Sequence, residues 1–223
     1  MEFLARAFPL LATVAVGAAH AVAWRTSTTY GAWATFAVAW GVLALLAVLL
    51  MRREEVLVEA MQLVPGDVSR GIGGAVVGVV LLIGIGFVGI KVAPMRSFDE
   101  LRTLIFVATR IPVEWKRALA LVAFAACEEI VFRGAVSAFL ESRFGSARAP
   151  WIASALYVMT TIPSLHPAVI SAAVVIGAVT AFLVSRFRRV TLAIVAHAAF
   201  AWLAVEFVLP ALWQKLLVPL PSP

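Results

Sequence analysis

Gly71-Ile-Gly-Gly-Ala-Val-Val-Gly-Val-Val80-Leu-Leu-Ile-Gly-Ile-Gly-Phe-Val-Gly-Ile90 runs for twenty residues without a charged side chain, and Lys91 closes it. Crossing a hydrocarbon core about 30 Å thick takes about 20 apolar residues in a helix. Comparable apolar runs are read at 3–24, 29–51, 117–140, 149–163, 167–185 and 190–209. Of the 223 residues, 63% are hydrophobic and 13% charged. A soluble domain has about 45–50% apolar and about 25% charged residues. A soluble chain of this size could not hide so much apolar surface from water. Unpaired backbone groups in lipid cost several kcal/mol each, which forces helices. The long unbroken runs exclude a β-barrel. The expected fold is all-α: a polytopic membrane helix bundle of about seven transmembrane helices, six to eight.

Three regions are expected: 1–112, N-terminal transmembrane helices with an interfacial linker helix; 113–210, a core of helices; and 211–223, a short C-terminal tail. The linker helix is read at Glu100–Arg110, where Leu101, Leu104, Ile105, Ala108 and Ile111 share a face and Arg102 and Arg110 lie off it. In the run at 71–93, Gly74 and Gly78 form a small-xxx-small pair that lets helices approach closely. The first apolar run is longer than a signal-peptide core and is read as a retained helix.

The net charge of +6, with basic residues between the apolar runs, points to anionic lipid headgroups and not to nucleic acid. It does not orient the bundle. With seven spans, Arg6, Arg52, Arg53, Arg70, Arg143, Arg148, Arg186, Arg188 and Arg189 fall on one side. Arg25, Lys91, Arg96, Arg102, Arg110, Lys116, Arg117 and Lys215 fall on the other, so nine face eight. The single cysteine, Cys127, excludes an internal disulfide and reads as a small packing residue.

Ionisable residues within a span are expensive and mark function by default. The run at 117–140 holds Cys127-Glu128-Glu129-Ile-Val-Phe132-Arg133-Gly134 near its middle. Glu129 and Arg133 stand at i,i+4 and can pair. Glu128 is turned about 100° away from Glu129 and can face a cavity, as a general base would. The competing reading is a buried charge group that only specifies packing.

Glu128-Glu129-x-x-x-Arg133-Gly134 resembles the EExxxRG signature of the CPBP family, the CAAX-protease and bacteriocin-processing membrane proteins. The resemblance covers roughly 113–210. It implies an integral protein of the bacterial inner (cytoplasmic) membrane and an intramembrane endopeptidase activity on a membrane-proximal peptide. In the family, the first Glu and a second-motif His are thought to activate a water, while a third-motif His and Asn meet the oxyanion. That mechanism needs no metal, and no cofactor is implied. Carried over, the first motif is complete at Glu128, Glu129 and Arg133. In the third, Val195-Ala-His197-Ala-Ala-Phe200-Ala201 supplies His197, with Ala201 at the Asn or Asp position. In the second, Tyr157-Val-Met-Thr-Thr161-Ile-Pro163 has Thr161 at the expected His position.

At about 1.5 Å per residue, Glu128 lies roughly 16 Å from Arg117, Thr161 roughly 16 Å from Pro150 and His197 roughly 12 Å from Arg189. All three reach the midplane layer. His166, about 7 Å further out along the chain, is a possible substitute imidazole and otherwise a loop histidine. His20 reads as a satisfied interhelical histidine. Glu206, nine residues after His197, projects to the opposite helix face and is expected to pair or to reach the interface.

Two functions from the resemblance stay open: the endopeptidase, or a catalytically impaired relative acting as scaffold, immunity or substrate-binding protein. A third class, a transporter or channel using the acidic pair as a proton or cation site, lacks paired repeats and broken helices in corresponding positions. The expected partners are membrane lipids and a membrane-associated peptide or protein substrate.

Overall fold

The computed structural model describes residues 2–25, 31–53, 57–92, 99, 102, 104–105 and 114–217. Helix α1 is Glu2–Arg25, α2 is Gly31–Arg53, the short α3 is Leu57–Ala60 and α4 is Asp67–Val92. Helix α5, Glu114–Glu129, continues through a π-helical segment, Ile130–Val136, into α6, Ser137–Phe144. Helix α7, Ala149–Thr161, ends in a 3-10 turn at Ile162–Ser164; α8 is Pro167–Phe187. Helix α9, Val190–Leu203, passes through a second π-helical segment, Ala204–Val208, into α10, Leu209–Leu217. No strand occurs among the described residues.

The protein is an all-α integral membrane bundle, and over the described residues each expected apolar run falls on a helix. Among the described residues, four segments are long and apolar enough to cross a membrane: Ala34–Arg53, Asp67–Val92, Pro167–Phe187 and Val190–Leu212. The other three runs fall short for visible reasons. The apolar stretch found on α1, Ala7–Ala23, is shorter, α5–α6 carries the charges of the first motif, and α7 is only 13 residues long. Residues 209–217, mostly read as tail, are helical. Most of the expected interfacial helix at 100–110 lies outside the described residues.

Helix α9 lies at the centre of the C-terminal half, against α4, α5 and α8, and α7 lies against α8. Helices α1 and α2 pair with each other and cover the first π-helical segment and α7. The core is apolar and tightly filled: Trp40, Met51, Phe132 and Ile176 are all buried. Helix α4 shows the inverse. Val76, Val77, Val80 and Leu81 are about half exposed, which suits a helix solvated by lipid tails.

Helix α4 meets the bundle through glycines. Gly71, Gly74 and Gly78 repeat at intervals of three and four, so they line one face. A Cβ at Gly71 would come within 2.7 Å of Val195, at Gly74 within 3.0 Å of Leu183 and at Gly78 within 3.0 Å of Phe200. Gly73, off that face, has nothing within 4 Å. The expected close approach at Gly74 and Gly78 is thus present, and Gly71 is the tightest point.

One end of the bundle is tied by ion pairs. Asp67 is fully buried and accepts from the Val64 N–H at 3.0 Å, with Arg189 at 2.9 Å and Arg70 at 3.7 Å. Arg188 adopts a left-handed conformation between α8 and α9 and pairs with Glu141. The second π-helical segment carries Glu206, which accepts from Arg117 at 2.6 and 2.8 Å. Glu206 is therefore paired, one of the two expected outcomes, and its partner lies on α5, the helix that also carries Glu128 and Glu129.

Gly71→Ala should lower the thermal midpoint in detergent despite a gain in helix propensity of about 1 kcal/mol. The stem of Val195 is β-branched and cannot swing aside, and overpacking costs about 1–3 kcal/mol. Gly73→Ala should be neutral or stabilising. Equal midpoints for the two variants would show that α4 does not dock through this face.

Candidate active site

Three helices converge on the first motif. Helix α5 ends at Glu129, and the π-helical turn then widens the backbone: the Ser137 N–H reaches back five residues to the Phe132 carbonyl. Such turns are rare inside helices and recur at functional sites. Here the turn occupies the most deeply buried part of the element, Val131 to Val136. It is overlaid by α2, and a Cβ at Gly134 would come within 2.8 Å of the Met51 sulfur.

The two carboxylates are separated in environment. Glu129 and Arg133 side chains have no exposure, and Arg133 Nε lies 3.3 Å from Glu129 Oε2. The Glu128 side chain keeps 16% of its surface exposed, and it lines a cavity of about 570 Å³. One carboxylate is therefore matched by a permanent cation, and the other faces open space.

Arg133 is held on further sides. Its Nη2 donates to Ser154 Oγ at 3.0 Å and to the Gly177 carbonyl at 3.4 Å, while Ser154 Oγ donates to that carbonyl at 2.7 Å. The guanidinium lies 4.8 Å from the centre of the Tyr157 ring, a cation–π contact strengthened by exclusion of water. Arg133 thereby joins α5, α7 and α8.

His197 bridges the acidic pair. Its Nδ1 lies 2.8 Å from Glu129 Oε1. A carboxylate paired with arginine can only accept, so Nδ1 carries the proton and donates. Nε2 then points to Glu128 Oε2 at 3.7 Å, beyond direct hydrogen-bond reach. The Tyr157 hydroxyl donates to the same Glu128 oxygen at 2.8 Å. The Tyr157 ring stands edge-on to His197, with centroids 6.3 Å apart. The result is a chain from Arg133 through Glu129 to His197 and on to Glu128, with Tyr157 closing it.

Thr161 and Ala201 both line the cavity, so the two departures from the motifs fall on its wall. The Thr161 hydroxyl donates to the Val158 carbonyl at 2.8 Å within its own helix. His166 sits at the start of α8, off the cavity wall. Cys127 is half-buried against the apolar core. Among the described residues, no three His, Cys, Asp or Glu side chains cluster as metal ligands.

Several functional contacts were not legible in the sequence. Tyr157 stood in the second motif only as its aromatic, and its hydroxyl is what reaches Glu128. The Glu129–His197 bond joins residues 68 apart, so no local spacing announces it. Ser154 lies three residues before the quoted aromatic, and Gly177 contributes only a carbonyl, which has no sequence signal.

These features define a membrane-embedded carboxylate–imidazole centre beside a largely apolar cavity. Residues 110–203 match the family model described as Type II CAAX prenyl endopeptidase Rce1-like. The resemblance read from the first motif is thus borne out over those residues, and the matched family is one of membrane endopeptidases. The match holds Glu128, Glu129, Arg133, Tyr157, Thr161 and His197, and leaves α1, α2 and α4 outside. No curated protein and no solved structure matches the chain.

Arg133→Ala should lower the abundance of folded protein in membranes. Breaking a buried pair leaves an uncompensated charge and costs about 3–5 kcal/mol. Wild-type yield and melting for this variant, measured by fluorescence size-exclusion chromatography with heating, would refute the structural weight given to the pair.

Proposed function

We infer that the protein is an intramembrane endopeptidase of the CAAX-protease type that cleaves a peptide bond near the membrane with a water activated by Glu128. The observation that carries this reading is the difference between the two carboxylates. Glu129 is enclosed and neutralised by Arg133, whereas Glu128 opens to the cavity with His197 Nε2 opposite it. A carboxylate with free lone pairs facing a cavity can hold a water and take its proton. A donor beside it can meet the charge that develops on the scissile carbonyl oxygen.

In this reading Glu128 is the general base. Tyr157 fixes its rotamer by donating to one oxygen. Glu129 orients His197 through Nδ1, so that Nε2 faces Glu128 and, in the doubly protonated ring, serves as the oxyanion donor; Arg133 holds Glu129. The apolar walls suit a substrate that enters from lipid: a membrane-anchored peptide, with anionic lipids at the basic ends of the helices. The bacterial inner membrane is the location that the resemblance supports.

A second reading, a substrate-binding relative with little or no catalysis, draws support from Thr161 and Ala201 on the cavity wall. Removing one oxyanion donor alone costs about 10²–10³ in rate. The two readings separate in a cleavage assay. Purified protein in proteoliposomes should release the C-terminal tripeptide from a fluorogenic farnesylated peptide that ends in Cys-aliphatic-aliphatic-X. Glu128→Gln should abolish release while leaving folded yield unchanged, because the amide oxygen still accepts from Tyr157. Unchanged cleavage would remove Glu128 from the chemistry, and a wild type that binds the peptide without cutting it would favour the second reading.

A further inference from the structure

His20, on α1, lines the same cavity as Glu128, Tyr157, Thr161 and His197. It lies outside the residues that match the family model. Its position follows from the packing of α1 against α7 and the 3-10 turn. Gly17 lets the backbones meet: a Cβ there would lie 3.7 Å from Pro163 and 4.0 Å from Thr160. Helical side chains lean back toward the N-terminus. The His20 ring does so, with Nδ1 3.1 Å from the Val16 carbonyl. The imidazole is thereby drawn back along the turn that contains Gly17, toward the level of Thr160 and Thr161.

The ring is held and its tautomer is set. A carbonyl can only accept, so the Nδ1 proton is the donor to Val16. In the neutral ring Nε2 then carries the lone pair. Phe36 of α2 packs edge-on against the imidazole, with centroids 4.9 Å apart. His20 is buried to 7% exposure and belongs to the cavity wall.

The neighbouring polar groups are committed elsewhere. Tyr157 donates to Glu128, Thr161 donates to Val158, and His197 Nδ1 donates to Glu129. The Ser171 hydroxyl, also on the wall, cannot act as a base near neutral pH. Imidazole can.

We propose that His20 is a catalytic residue: its Nε2 accepts a hydrogen bond from the attacking water held by Glu128, so that α1 supplies the imidazole that Thr161 does not. This rests on the endopeptidase reading. One water proton passes to Glu128 as the water oxygen bonds to the carbonyl carbon. The C–N bond then breaks, and Glu128 returns that proton to the departing amine. The second water hydrogen, held by Nε2 throughout, leaves the new carboxylic acid for the imidazole and then for solvent. Both side chains are regenerated.

The test uses the full chain in proteoliposomes with the farnesylated peptide. His20→Gln should lower kcat by about 10²-fold or more, the usual range for a general acid–base partner, with an unchanged thermal midpoint. Adding Thr161→His to His20→Gln should restore at least tenfold, which a packing defect on α1 would not allow. Activity within threefold of wild type for His20→Gln would overturn the proposal. So would a wild type that cleaves only after Thr161→His, because no second imidazole would then be operating. A second measurement covers the case in which His20→Gln fails to fold. The chain has three histidines, so their ring carbon resonances can be assigned in nanodiscs. Glu128→Gln should move those of His20 and leave those of His166 in place; an unmoved His20 overturns the proposal. If wild type and all variants are silent toward the peptide while His20 still responds to Glu128→Gln, the endopeptidase reading fails and the shared water space stands.

Discussion

The contact between Arg133 and Glu129 sets the terms for the rest of the site. Both side chains are without exposure, and neither charge could be tolerated there alone. The pair therefore needs an enclosure that supplies further partners. Ser154 of α7 and the Gly177 carbonyl of α8 provide them on one side, and His197 of α9 on the other. The same constraint explains the π-helical turn at Ile130–Val136. It occupies the stretch where Arg133 must serve Glu129 on its own helix and Ser154 and Gly177 on two others.

From that arrangement follows the division of labour between adjacent glutamates. Glu129 accepts from His197 at Oε1 and is ion-paired with Arg133 at Oε2, which fixes its rotamer. Glu128 is turned toward the cavity with one oxygen bonded to Tyr157 and the rest of its lone pairs open. A pair of carboxylates that would otherwise repel is made usable by giving each its own counter-group. The chain Arg133–Glu129–His197 also fixes the orientation of the imidazole, so that Nε2 and not Nδ1 meets the cavity.

The cavity draws its walls from more of the chain than the motif region. Leu82, Ile85 and Ile90 come from α4 and His20 from α1, while Val205, Val208 and Leu212 extend it along the end of α9 and into α10. The glycine face of α4 is what seats its helix closely enough to contribute. A carboxylate in this setting works in a low dielectric, where each oriented donor counts for more than it would in water.

Composition and apolar run length determined the class of the protein, since a backbone in lipid has helices as its only local solution. The spacing of Glu129 and Arg133 announced their ion pair, and the second mid-span carboxylate, Glu128, announced the site. What the sequence could not show is which side chains meet across helices. His197 reaches Glu129 over 68 positions, and His20 shares a cavity with a motif more than a hundred residues away. His166, closer in sequence, does not enter that cavity. Apolar periodicity states which face of a helix is buried, not which neighbour covers it or at what height. The tertiary structure decided that, through the approach of α1 at Gly17 and the wide turn that seats Arg133.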